Sequence, residues 1–295
     1  MTYYRYDDDN NEPNMNGRTP ARVGGEKEYT SDALVIRVLP FGDNDRTLTL
    51  LTADRGKISA VAKGSRSVNS KISAVCQSHV WGNFELHRKN GYFWVRDASV
   101  LNSFRGADKK LEGTYLAQYV MDVCCELSGE DVPGADILRP ALNVLHSLDR
   151  DLHPMWKLKS AFELKAASAS GYEPELHRCI RCGREESAGW YLDVMNGGLV
   201  CRECRAAVPD TDPDQRYEGV PTDPTGTRRL LLPVPPGTLA AMRYVLAAPM
   251  PRMLSFDLRE ASDREAMDMI CESYLLNHLE RGFSSLKMYR ELLKM

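Results

Sequence analysis

The sequence predicts an α+β fold, with a small five-stranded barrel ahead of a helical region that a four-cysteine module interrupts. Three observations predict it. Short apolar and alternating runs fill residues 31–105. Side chains then recur at helical spacing from Asp108 onward. Two Cys-x-x-Cys pairs, Cys179/Cys182 and Cys201/Cys204, stand eighteen residues apart before helical spacing returns.

Residues 1–30 are polar, rich in Asn, Asp and Gly, and without periodicity, and read as a disordered extension. The strands that follow are DALVIRVL, RTLTLLT, GKISAVAKG, HVWGNFELHR and YFWVRDASV. Turn residues separate them at 42–45, at 54–56 and at Asn90-Gly91, the last a hairpin signal. Five short strands in so short a span (31–105) are most commonly arranged as an OB-fold, with an SH3-like barrel as the alternative. A first helical part covers 106–176. Leu111, Tyr115, Tyr119 and Val123 mark one face and Ile137, Ala141, Val144 and Leu148 a second, while Pro154 opens a third helix through Leu158, Phe162 and Leu164. The thiol module occupies 177–208 and a Pro/Asp-rich surface connection 209–236. A second helical part spans 237–295, with helices expected at 239–246, 263–281 and 286–293.

The hydrophobic fraction of 43% is that of a soluble protein, and no apolar run approaches the length of a membrane span. The N-terminus lacks the apolar stretch of a secretory signal, so the expected location is the cytoplasm, where thiols stay reduced. Cys76, Cys124, Cys125 and Cys271 stand in apolar surroundings and read as small buried hydrophobes. Cys179, Cys182, Cys201 and Cys204 fit a tetrahedral Zn²⁺ site, one per chain, each pair supplying two thiolates from one tight turn. An iron–sulfur cluster or a pair of disulfides are the other readings of the same thiols. WYLDVMNGGLVC reads as strand, Asn196-Gly197-Gly198 turn and strand, and Gly183 suits the turn after the first pair. Four protein ligands leave no position for water, and no Pro-Cys-x-x-Cys of the deaminase kind is present, so the ion reads as structural.

From Arg55 to Lys71 the chain carries Arg55, Lys57, Lys63, Arg66 and Lys71 and no acidic residue, inside a protein of formal net charge −3. Positive charge among small residues suits a segment that follows a phosphate backbone, and a solvated face is the plainer alternative. In YFWVR, alternation puts Tyr92, Trp94 and Arg96 on one face and Phe93 and Val95 on the other. The first face reads as core or interface packing, with base stacking as the alternative. Asp43 and Asp45 read as turn residues and not as a catalytic pair. No P-loop, dinucleotide loop or nucleophile elbow is present, which points to a binding protein and not an enzyme.

Four stretches together resemble the RecO family of bacterial DNA repair proteins. They are ALVIRVLPFGDNDRTLTLLTADRGKISAVAKGSR, FELKAASASGYEPELHRCIRCG, GGLVCREC and HLERGFSSLKMY, in the family's order. The resemblance implies an N-terminal OB-fold and a helical domain carrying an inserted zinc module. It also implies a recombination mediator that binds single- and double-stranded DNA and anneals complementary strands. Its implied partners are RecR, in some systems RecF, the acidic C-terminal tail of single-stranded DNA-binding protein (SSB) and, indirectly, RecA; the implied place of action is the nucleoid, with no membrane involved. By motif, DNA binding falls on Arg46, Lys57, Lys63 and Arg66, with Arg55 and Lys71 as neighbours. The extension and the 209–236 connection depart from the family pattern without touching these motifs. A zinc-ribbon OB-fold protein acting on RNA or in transcription would share the barrel and thiols but not need the long helical domain.

Overall fold

The computed structural model describes residues 28–89, 92–207 and 231–294. Most of the expected extension, the Asn90-Gly91 turn and most of the Pro/Asp-rich connection therefore lie outside the described residues. The chain divides into two compact units. One runs to Leu152 and includes the residues from Met288 onward; the other is His153–Lys287.

In the first unit, β1 (Glu28–Phe41), β2 (Asp45–Thr52), β3 (Gly56–Ala62), β4 (Trp81–Lys89) and β5 (Tyr92–Asn102) close into a barrel in the order β1-β2-β3-β5-β4. This is the five-stranded OB-like barrel that the sequence predicts. β1 starts three residues ahead of the expected boundary because closure needs a long strand: residues 28–34 pair with β4 and 33–41 with β2. Alternation sends Leu48, Leu50, Ile58, Ala60, Leu86 and Val95 into a common core with Val35 and Phe84. The irregular segment after β3 closes one end with Val75, Cys76 and Val80.

The register of β1 shifts between Val35 and Arg37, leaving Ile36 as an extra residue. Such a bulge inverts the alternation beyond it. Ala33 and Val35 point into the core before it; Val38 packs on the core after it, and Arg37, Leu39 and Phe41 face outward and are exposed.

Helices α1 (Leu111–Leu127) and α2 (Ala135–Arg150) belong to this same compact unit. Backbone contacts show why. Lys57 N–H donates to Gly129 O at 2.8 Å and Gly134 N–H to Ala53 O at 3.0 Å, pinning the β2–β3 turn to the α1–α2 connection. Gly56 has φ +63°, and a Cβ there would lie 2.3 Å from Val132 O, so only glycine fits. The expected face of α2 is buried throughout. That of α1 is rotated at its start: Leu111 is exposed, and Leu116, Ala117, Val120 and Cys124 join Tyr119 and Val123 inside.

The second unit begins with α3 (Met155–Ala169), preceded by Pro154 as expected. A four-stranded sheet follows, ordered β6 (Glu175–Cys179), β8 (Gly198–Cys201), β7 (Trp190–Asp193) and β9 (Leu231–Val234), with the short α4 (Arg202–Ala206) after β8. β9 corrects the reading of 209–236 as connection to its end. Leu232 and Val234 are buried while Pro233 is exposed, and an edge strand tolerates a proline. The unit is completed by α5 (Pro236–Ala247) and α6 (Ala261–Leu279), and α7 (Ser284–Leu292) crosses the boundary.

α3 and α6 share a charged core. Lys159, fully buried, reaches Asp268 Oδ1 and Glu272 Oε2 at 2.9 Å each and Glu163 Oε2 at 3.3 Å. Lys165 donates to the carbonyls of Leu246 and Ala248 at the C-terminal end of α5, where the helix dipole favours a cation.

Candidate metal centre and nucleic-acid interface

The four cysteines of the module converge. Cys179 ends β6 and Cys201 ends β8, Cys182 follows in a tight turn and Cys204 lies in α4; all four Sγ atoms lie within 4.8 Å of one another. Gly183, at φ +74°, closes the first turn by donating to Cys179 O at 2.8 Å. Asp193 shapes the β7–β8 turn by accepting from the backbone and side-chain amides of Asn196, with Gly197 at φ +69°. Arg184 and Glu203 pair at 3.0 Å across the two Cys-x-x-Cys segments.

The donor set suits a cation. A tetrahedron with metal–sulfur bonds of about 2.3 Å has edges of about 3.8 Å, and Cys182 Sγ lies 3.7 Å from Cys201 Sγ. Backbone N–H groups aim at the sulfurs: Cys201 N–H at Cys179 Sγ (3.4 Å) and Cys204 N–H at Cys201 Sγ (3.5 Å). Burial raises the Cys179 thiol, but hydrogen bonds from the amides of Cys201, Cys182 and Arg181 outweigh it and bring the group down to about 6. The neighbouring thiols of Cys182 and Cys201 push Cys204 up to about 12. One thiolate forms easily and the last does not; a cation among them removes that conflict.

The barrel residues predicted to meet DNA separate into two groups. Three are tied into the fold. Lys57 Nζ donates to Cys125 O at 2.7 Å, near the C-terminal end of α1. Arg46 Nη1 donates to Ser65 O at 2.6 Å. The Arg55 guanidinium lies 5.1 Å from the ring centre of Tyr29, whose hydroxyl donates to Asp54 Oδ1. The other three are exposed: Lys63 and Lys71 make no hydrogen bond or ion pair among the described residues, and Arg66 makes one long contact with Gly42 O, 3.3 Å. Asp45, read as a turn residue, accepts from Gly64 N–H at 2.7 Å, and Arg66 N–H donates to Asn44 O. The β1–β2 turn is thus laced to the basic loop.

The outward-facing row that crosses the barrel's five strands escaped the sequence reading. Register aligns Leu39 with Thr47, Thr47 with Val61, Val61 with Trp94 and Trp94 with His87. In β5 the alternation is as read: Val95 is buried and Phe93 packs on the core, while Tyr92 and Arg96 are exposed. No local signal marks the Ile36 bulge that turns Leu39 outward.

Residues 27–104 match the family model described as Recombination protein O N terminal, and residues 109–287 match Recombination protein O C terminal. The chain belongs to the RecO family. A DNA repair and recombination role comes with that membership, and neither matched family is catalytic. Among similar proteins, DNA repair protein RecO of Acetivibrio thermocellus is 25% identical over 89% of this chain and 96% of its own length. DNA repair protein RecO of Rubrobacter xylanophilus is 29% identical over 85% and 92% of the two chains, and that of Desulforudis audaxviator 28% identical over 90% and 98%. Among the described residues of this RecO-family chain, no helix is long and apolar enough to cross a membrane.

Proposed function

We propose that the chain is a recombination mediator that works by binding and not by catalysis. It holds single- and double-stranded DNA on its barrel, anneals complementary strands and, with RecR, helps RecA replace SSB on exposed single strands. Contact with the SSB C-terminal tail, and in some systems with RecF, directs it there, at the nucleoid in the cytoplasm. The four cysteines hold a structural Zn²⁺, one per chain. The observation that carries this reading is the family match on both parts of the chain.

The barrel supports the DNA part of the reading. Lys63, Arg66 and Lys71 are exposed on a loop with no carboxylate bound to them among the described residues, so they are available to phosphates, whereas Lys57, Arg46 and Arg55 have work inside the fold. Cations on a loop meet phosphates and not base edges, so affinity should be indifferent to sequence. Each phosphate neutralised on a single strand contributes about 0.7 to the slope of log affinity against log salt. Replacing Lys63, Arg66 and Lys71 together by Ala is expected to flatten that slope by about 2, and strand annealing should fall in parallel. A triple variant that binds and anneals like the parent at moderate salt overturns the assignment of the DNA surface. Preference for RNA over DNA of the same sequence would favour the transcription or RNA reading instead.

A further inference from the structure

The outward face of the barrel is built like a platform. Trp94 stands in the row with Val61 and Thr47 on one side and His87 on the other, so small side chains border the indole toward β2. Tyr92, two residues earlier on the same face, is 68% exposed. Residues i and i+2 of a strand stand about 6.7 Å apart, about twice the 3.4 Å spacing along a nucleic-acid strand. Two aromatic side chains so placed match successive bases of a stretched single strand. The Trp94 Nε1–H is enclosed and has no acceptor among the described residues, a cost that phenylalanine would avoid if packing alone decided the position.

Charge around the platform complements an anion. Lys89 is the cross-strand partner of Tyr92, and Lys63 lies two residues beyond Val61; both are exposed and neither forms an ion pair among the described residues. Of the carboxylates near this face, Asp45 is held by Gly64 N–H and Glu28 by Arg96, while the exposed Glu85 and its cross-strand partner Asp97 lie toward the other end of β4 and β5 from Lys89 and Tyr92.

The geometry points to a base-stacking site for single-stranded nucleic acid, formed by Tyr92 and Trp94 with Lys63 and Lys89 on adjacent phosphates. The inference rests on the DNA-binding reading above and goes beyond it, because phosphate contact alone does not require unpaired bases. A duplex keeps its base faces stacked inside, so the platform selects single strands.

The test compares a labelled single-stranded oligonucleotide with a strand of equal length and charge in which abasic sites replace the bases, both titrated with the full chain. The parent protein should bind the base-bearing strand at least about fivefold more tightly. Tyr92→Ala and Trp94→Ala should each lose much of that preference while binding the abasic strand like the parent, and Trp94→Phe should retain most of it. Tyr92 is exposed enough that its removal leaves the fold intact, so the Tyr92 variant decides the matter even if Trp94→Ala is unstable. Equal binding of both strands by the parent, or equal weakening of both by Tyr92→Ala, overturns the platform alone. Failure of the parent to bind either strand or a duplex overturns the platform and the DNA-binding reading together.

Discussion

Lys159 is fully buried and has three carboxylates within 3.3 Å, from Glu163, Asp268 and Glu272. Removing one member of a buried ionic cluster costs more than the cluster contributes, because the remaining charges stay behind in a poor solvent. Lys159→Met should therefore lower the unfolding free energy by about 3–5 kcal/mol, read as a fall in the urea midpoint. An unchanged midpoint would mean that the carboxylates take up protons or water at little cost. Single residues also show where the sequence was silent. Lys57 looked like its neighbours Lys63 and Lys71 in a basic run, yet its ammonium is spent on a carbonyl 68 positions away. Nothing local to Lys57 signals that partner, since only barrel closure and the docking of α1 bring it near.

Elements were legible wherever their physics is local. Alternation marked the five barrel strands, helical spacing marked α2 and α3, and the Cys-x-x-Cys spacing marked the module with its Asn196-Gly197-Gly198 turn. β9 was not legible, because four residues with a proline among them carry no pattern until an edge of β7 is there to receive them. The module itself is small, its sheet built on strands of four or five residues, and the proposed ion would supply much of its folding free energy. Structural zinc contributes roughly 10–16 kcal/mol in zinc-finger peptides. Elemental analysis should find one zinc per chain, and Cys201→Ser or a strong chelator should release it and expose β6–β9 to proteolysis and amide exchange. Iron in place of zinc, or a metal-free protein with the module still protected, would contradict this account.

The whole molecule carries a formal net charge of −3, but charges more than about 8 Å away are largely screened at physiological salt, so that net charge would not keep the exposed barrel cations from the DNA contact proposed for them. Acid tests the molecule as a whole. Burial, aided by Arg150, holds His146 down at about 4, and burial also lowers His79 and His278. Each takes up a proton more readily in the unfolded chain, where histidine titrates near 6.5. Their contribution to stability is complete above about pH 6.5 and is lost as pH falls toward 4. The urea midpoint should be lower at pH 5 than at pH 7.5, with a smaller difference in His146→Gln; equal midpoints at the two pH values would refute it. The inserted Ile36 has a consequence of its own at this scale. A strand is a two-letter message, inward and outward by turns, and one surplus residue shifts its frame for every letter downstream. If Ile36 were paired as an ordinary letter, Arg37, Leu39 and Phe41 would read inward and Val38 outward, forcing a guanidinium into the barrel; deleting Ile36 instead leaves Val35 opposite Leu50 and Arg37 opposite Thr49, with every letter downstream unchanged. Deleting Ile36 should therefore leave the first unit with a cooperative melt, whereas inserting one alanine after Ile36, which shifts the frame of residues 37–41, should abolish it. The identity of the outer surface is thus stored less in which residues β1 contains than in which of them are paired.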